Sequence, residues 1–130
     1  VDGEFTTAKG KEEMARLLEK YEDIDVVVSQ NDDMTFGALE AIHAAGKTTG
    51  VNSDITVISF DAVDAGVELV RNGEINIDVQ CNPDQGKYVE QVIKDMEAGK
   101  EVEKAYYVPE RVYTQENAGE DEDAAEGISG

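Results

Sequence analysis

Four polar side chains in this sequence stand where chemistry could be done: Asn31, Asp61, Gln80 and Cys81. Each ends a run rich in β-branched or aromatic residues. Val26-Val27-Val28 leads to Asn31, Val57-Ile58-Ser59-Phe60 leads to Asp61, and Ile75 to Val79 leads to Gln80-Cys81. In an open α/β sheet, ligands bind at the carboxyl ends of the strands. An amide and a carboxylate placed there suit a polyol. The carboxylate accepts from neighbouring hydroxyls, while the amide both accepts and donates. Neither group is a good nucleophile, and no base is positioned to activate one. The same residues can also do plainer work. Asn or Asp between a strand and a helix is an ordinary N-cap, worth about 1 kcal/mol. Capping is the first reading for Asp32 and Asp33, whereas Asn31 and Asp61 stay open between capping and binding. Cys81 reads equally as a small, half-buried residue without a ligand role.

The elements that must position these residues follow from periodicity. Met14, Leu17, Leu18 and Tyr21 predict an amphipathic helix over Lys11–Glu22. A strand over Ile24–Ser29 follows, then a helix over Asp33–Ala45 that Gly46 should end in the C-cap region. Gly46–Ser53 is a polar, turn-rich loop before a strand over Ile55–Phe60. A short helix over Asp64–Arg71 closes on Asn72-Gly73, and a third strand runs over Ile75–Val79. Asn82-Pro83 predicts a further helix start, with Pro in its first turn. That helix carries Tyr88, Val89, Val92, Ile93 and Met96, and Gly99 ends it. Ala105–Tyr113 predicts a last extended segment around Pro109. Strands alternating with helices predict βαβ units and a parallel sheet, which would set the polar strand ends along one rim.

Composition narrows the partners. The 130 residues suffice for one domain with a real core. Thirty acids against eleven bases give a net charge of −19, which repels nucleic acid and anionic membranes. Cys81 is the single cysteine, so an intrachain disulfide and a Cys-cluster metal site are excluded. No apolar run is long enough to span a bilayer, and no charged stretch with an apolar run behind it opens the chain at Val1. Gln115–Gly130 carries six acids and no base, and predicts a disordered, solvating tail. No GxxxxGK phosphate loop occurs, and His43 has no second ligand at metal spacing. Asp32, Asp33 and Asp61 on one rim could instead hold Mg²⁺ for phosphoryl transfer or a receiver-like domain, but no basic residue stands at a strand end to complete such a site.

The ordered set Gln30-Asn31-Asp32-Asp33-Met34, Gly37-Ala38-Leu39, Ala45-Gly46, Ile58-Ser59-Phe60-Asp61, Asn72-Gly73 and Asn82-Pro83 resembles the sugar-binding proteins of bacterial ABC transporters. The branch it is most similar to binds ribose, galactose or galactofuranose, and the likeness runs from about Gly3 to Tyr113. The resemblance implies an open, mainly parallel three-layer α/β/α sheet, part of one lobe of a type 1 periplasmic-binding-protein fold. It implies no enzyme and no cofactor, but capture of a monosaccharide (pentose, hexose or hexofuranose) between two lobes, for delivery to a membrane permease. Location would be periplasmic or extracellular, with a lipid anchor in some parents. Asn31 and Asp61 would match residues that hydrogen-bond sugar hydroxyls. The third contact, Gln just before Leu-Pro in ribose binders, falls on Cys81 here, with Gln80 beside it. Residues 1–82 would form a partial second lobe, and 83–114 a crossing, a helix and an extended segment belonging mainly to the other lobe. The chain resembles only the later part of such a protein and so holds half a site. Its helix from Asp84 would expose Tyr88, Val92 and Ile93, a patch expected either to fold back onto the sheet or to pair with a second copy. Repressors of the lactose-repressor family share this core, so a sugar-responsive effector domain is the competing reading.

Overall fold

The computed structural model describes residues 1–120. Eight elements follow one another: α1 (Thr7–Lys20), β1 (Val26–Val28), α2 (Asp32–Ala44), β2 (Thr56–Asp61), α3 (Asp64–Arg71), β3 (Ile77–Gln80), α4 (Gly86–Glu97) and β4 (Val112–Tyr113). The sheet order is β1-β2-β3-β4, with the first three strands parallel and β4 antiparallel to β3. This is the expected open, mainly parallel α/β sheet. Register sets Val28 beside Ile58 and Ile58 beside Ile77, and it sets Asp61 beside Gln80. The three polar strand ends therefore lie along one rim.

Right-handed crossovers between parallel neighbours put both connecting helices on the same face. Thr35 of α2 bonds Ser59 of β2 at 2.7 Å on that face, and Gly66 of α3 lies over Asp78 of β3. Inward side chains of the strands meet Leu39, Ile42, Ile55, Val70 and Ile75 there, all buried. Helix α1 joins this layer by crossing α2 at two glycines: the Cβ of a residue at position 10 would lie 2.7 Å from Met34 Cα, and one at position 37 would lie 2.6 Å from Lys11 N. On the opposite face Val26, Val28 and Val112 are exposed. No residue of α4 is buried, so that helix does not fold back onto the core; of the expected patch Ile93 is exposed, with Val89 and Met96 beside it, while Tyr88 and Val92 are half-buried.

Several boundaries differ from expectation, each for a local reason. Helix α1 begins at Thr7, before its apolar periodicity, because the Thr6 hydroxyl accepts from the Lys9 N–H at 3.2 Å. Strand β3 begins at Ile77 because Asn76 occupies the preceding rung, its side-chain oxygen accepting from Val57 N at 2.8 Å. Asn82-Pro83 does not open α4. Asn82 Oδ1 accepts from Asp84 N at 2.9 Å and the Pro83 carbonyl from Gln85 N at 2.8 Å, giving a turn, and the helix starts at Gly86. Gly46 ends α2 as expected, at φ 77°. Its N–H bonds the His43 carbonyl and Lys47 N bonds that of Ile42, the two bonds of a Schellman stop.

The tail needs a correction over its first six residues. Gln115–Glu120 is a packed turn, with Ala118 only 2% exposed. The Arg71 guanidinium donates to the Ala118 carbonyl through Nε at 3.1 Å and Nη2 at 2.8 Å. Arg71 on α3, together with Arg111 at 4.0 Å from Glu120, offsets the local excess of acids. The rest of the predicted tail, 121–130, lies outside the described residues. Of the extended segment over Ala105–Tyr113, the pair Val112–Tyr113 forms a strand.

Candidate functional site

Asn31 follows β1 in extended conformation and caps α2. Its Oδ1 accepts from Met34 N at 3.0 Å. Its backbone carbonyl is held by the Ser29 hydroxyl at 3.1 Å and the Thr35 hydroxyl at 2.9 Å. Only 8% of the residue is exposed, and its Nδ2 amide has no partner among the described residues. The amide oxygen thus does the capping, and the capping bond leaves the amide hydrogens unused.

Asp61 ends β2 with φ at 118°, and Ala62 follows at 56°. Two successive non-glycine residues at positive φ are strained and persist only where surroundings hold them. Three bonds do so. The Asp61 carbonyl accepts from Cys81 N at 3.1 Å, Ala62 N donates to Asp78 Oδ1 at 3.2 Å, and Val63 N donates to Asp32 Oδ2 at 2.9 Å. Partial burial raises the Asp61 carboxyl above its ordinary range, and the charges of Asp32 and Asp33 add to this; the Asp32 backbone N–H within its reach acts in the other direction. That contact sets Asp61 at the N-terminus of α2, the helix Asn31 caps. The two residues stand at the ends of adjacent parallel strands, one with amide hydrogens to donate, the other with carboxylate oxygens to accept.

The third strand end divides its roles. Gln80 is half-buried, and its Oε1 accepts from Arg111 N at 3.1 Å while Gln80 N donates to the Arg111 carbonyl at 2.8 Å. Its side-chain oxygen is thereby engaged in bringing β4 back to the sheet. Cys81 is exposed at the rim beside Asp61. The three carboxylates considered for a metal do not converge. Asp32 turns inward, 1% exposed, where it accepts from the Ser59 hydroxyl and Val63 N.

Sequence reasoning missed Asp78. It is fully buried in β3 and lies with Asp32 behind the Asp61 turn. The available signal was a lone acid between Ile77 and Val79 whose register places it beside Ser59, on the inward face. Burial and the neighbouring charge of Asp32 push its carboxyl up to about 7.

Residues 1–101 match the family described as periplasmic binding protein domain. The chain is 34% identical over 113 residues to the ribose import binding protein RbsB of Bacillus subtilis (strain 168), covering 86% of this chain and 35% of that protein. A crystal structure from Mycobacterium smegmatis in complex with β-D-fucofuranose superposes with a TM-score of 0.77 at 39% identity, covering 89% of this chain and 38% of that one. The binding protein of the arabinose ABC transporter from Shewanella sp. ANA-3, bound to α- and β-L-arabinofuranose, superposes at 0.77 with 34% identity, covering 89% and 39%. The chain spans about a third of the length of such relatives.

Proposed function

We infer a function from one premise: the chain belongs to the periplasmic binding protein domain family. The chain supplies one wall of a monosaccharide site in the capture component of a bacterial ABC importer. The sugar is a pentose, hexose or hexofuranose: the relatives' names give ribose and arabinofuranose, both pentoses, and β-D-fucofuranose, a hexofuranose. Asn31 Nδ2 donates to one hydroxyl oxygen and the Asp61 carboxylate accepts from a neighbouring hydroxyl, while Cys81 lines the rim. The opposite wall comes from the other lobe, closure is a population shift driven by contacts to both walls, and the closed form hands the sugar to a permease. The work is done outside the cytoplasmic membrane, and no bond of the sugar is broken. Among the described residues no helix is long and apolar enough to cross a membrane.

The observation that carries this reading is the placing of an amide without a partner among the described residues and a partly buried carboxyl on adjacent parallel strand ends. The test is Asp61→Ala in a two-lobed protein carrying this chain. Sugar affinity should fall by roughly 1.5–3 kcal/mol, the scale of a hydrogen bond to a charged group. Unchanged affinity in titration calorimetry would remove Asp61 from the site. The chain alone offers half the contacts, so ribose, arabinose or galactose at millimolar concentration should barely move its melting temperature. A clear rise in scanning calorimetry would mean that this wall binds sugar unaided.

A further inference from the structure

Behind the rim lie two carboxyl groups that sugar recognition does not use. Asp32 arrives from α2 and Asp78 from β3, both essentially without exposure. Their Oδ2 atoms converge beneath Gly66 of α3. A Cβ on that glycine would stand 2.6 Å from Asp32 Oδ2 and 2.5 Å from Asp78 Oδ2, which sets the two oxygens within about 5 Å of each other. Asp32 accepts from the Ser59 hydroxyl and Val63 N, and Asp78 Oδ1 accepts from Ala62 N. Asp78 Oδ2 is buried with no hydrogen-bond partner among the described residues.

Among the described residues the surroundings offer no countercharge. Asp32 from α2 and Asp61 from β2 are the charges acting on Asp78, and both are negative. Helix α3 contributes Gly66, and β2 contributes the neutral hydroxyl of Ser59, shared with Thr35 of α2. Strand β4 places Tyr113 opposite Asp78, with the Arg111 guanidinium 5.5 Å from the centre of the Tyr113 ring. No cation pairs with either carboxyl among the described residues. Two like charges buried side by side are strongly disfavoured from both ionising without one, so a proton takes its place.

We propose that Asp32 and Asp78 share one proton and act as positioning residues for Asp61, holding the left-handed Asp61–Ala62 turn through the amides of Ala62 and Val63 until that proton is lost. In the protonated state Asp78 Oδ2–H donates to the Asp32 carboxylate, which satisfies the orphaned oxygen and leaves three acceptors for the two amides and Ser59. Loss of the proton sets two carboxylates against each other across Gly66, and the turn between their amide contacts is what can give. Asp61 then leaves its place beside Asn31. The functional consequence rests on the sugar-site reading of Asp61, but the shared proton does not.

The sign of the pH effect follows. The folded chain holds a proton on Asp78 up to about pH 7, whereas the unfolded chain releases it near the ordinary value of 3.8. Between these values the native state binds more protons than the unfolded one, so this pair's contribution to stability falls as pH rises and levels off above pH 7.

The test is a pH titration of the 130-residue chain from 4 to 9, followed by NMR at the Asp78 and Asp61 carboxyl carbons, the Ala62 and Val63 amides and the Asn31 side-chain amide. A common step near pH 7 is expected at all of them. In Asp78→Asn the side-chain amide donates permanently where the acid did, so the step at Ala62, Val63 and Asn31 should vanish and their shifts stay at the low-pH positions. Asp78 ionising near pH 4 would overturn the proposal. So would a step that survives in Asp78→Asn, since it would then be Asp61 titrating by itself. Should the variant not fold, Asp78 titrating in the unsubstituted chain without any response at Ala62 and Val63 would also overturn it. Failure of Asp61→Ala to weaken sugar binding would strike the sugar reading and leave this titration unaffected.

Discussion

Gly37→Ala is expected to cost the chain about 3 kcal/mol of folding stability, at the upper end of what overpacking does to a closely packed contact. The added methyl would meet the Thr7 carbonyl oxygen and stand 2.6 Å from Lys11 N. Both are backbone atoms of α1, fixed by that helix's own hydrogen bonds, so no side chain can swing aside. The helices would have to separate. The contact they would lose is the one that fastens α1 to the rest of the chain, where a Cβ at position 10 would stand 2.7 Å from Met34 Cα and Met14 is buried one turn further on. Alanine's better helix propensity returns at most about 1 kcal/mol. In a chain whose whole stability is of the order of 5–15 kcal/mol, the net loss is large. Urea unfolding followed by circular dichroism should show a lower midpoint with an unchanged slope. Gly86→Ala at the start of α4 is the control: nothing lies within 4 Å of its added methyl, so stability should hold or rise slightly. A Gly37→Ala chain as stable as its parent would mean that α1 and α2 do not touch backbone to backbone.

The contrast between those two glycines shows what was legible in the sequence. Strand runs ending in Asn or Asp, and the Ala45-Gly46 stop, are signals completed within a few residues, and they emerge much as read. Asn31 was visible because its type and place coincide at the end of β1. Asn82-Pro83 was misread because a helix cap and an Asx turn share the same local chemistry; the choice between them depends on how the chain leaves β3 towards Pro109, whose carbonyl accepts from Asn82 Nδ2 at 3.2 Å. Ala118 was hidden by its acidic neighbours, since its partner Arg71 lies on another element. Asp78 was hidden for the same reason. An acid in a strand ordinarily points to solvent, and nothing local says that α2 sends a second carboxyl to meet it.

That second carboxyl carries the other large effect. Asp32→Ala should destabilise the chain by about 1–2 kcal/mol, because a buried donor left without an acceptor costs about 1–3 kcal/mol and Val63 N, the donor that loses its partner, is only partly buried. The Ser59 hydroxyl keeps a partner in Thr35 Oγ1 at 2.7 Å, so most of the loss falls on Val63 N, which has its acceptor at 2.9 Å in Asp32 Oδ2. Asp32→Asn should cost less. Its carbonyl oxygen can still accept from Val63, and its amide can donate to Asp78 Oδ2, the oxygen that has no partner. Removing the Asp32 charge also removes one of the influences that raise Asp78, burial being the larger. Asp78 should therefore titrate lower in both variants, and the decline in stability between pH 4 and 7 should become shallower than in the parent chain. Unfolding at pH 5 and at pH 8 distinguishes the effects, since the vacancy costs the same at both and the charge does not. An Asp32→Ala chain within 0.5 kcal/mol of its parent at both values, below the least that one unpaired buried donor should cost, would mean that the Asp32 contacts to Ser59 and Val63 add nothing to stability. If the loss is found, amide exchange at Val63 and Ala62 should quicken before the rest of β2 opens, because the strained turn at Asp61 has lost one of its three restraints.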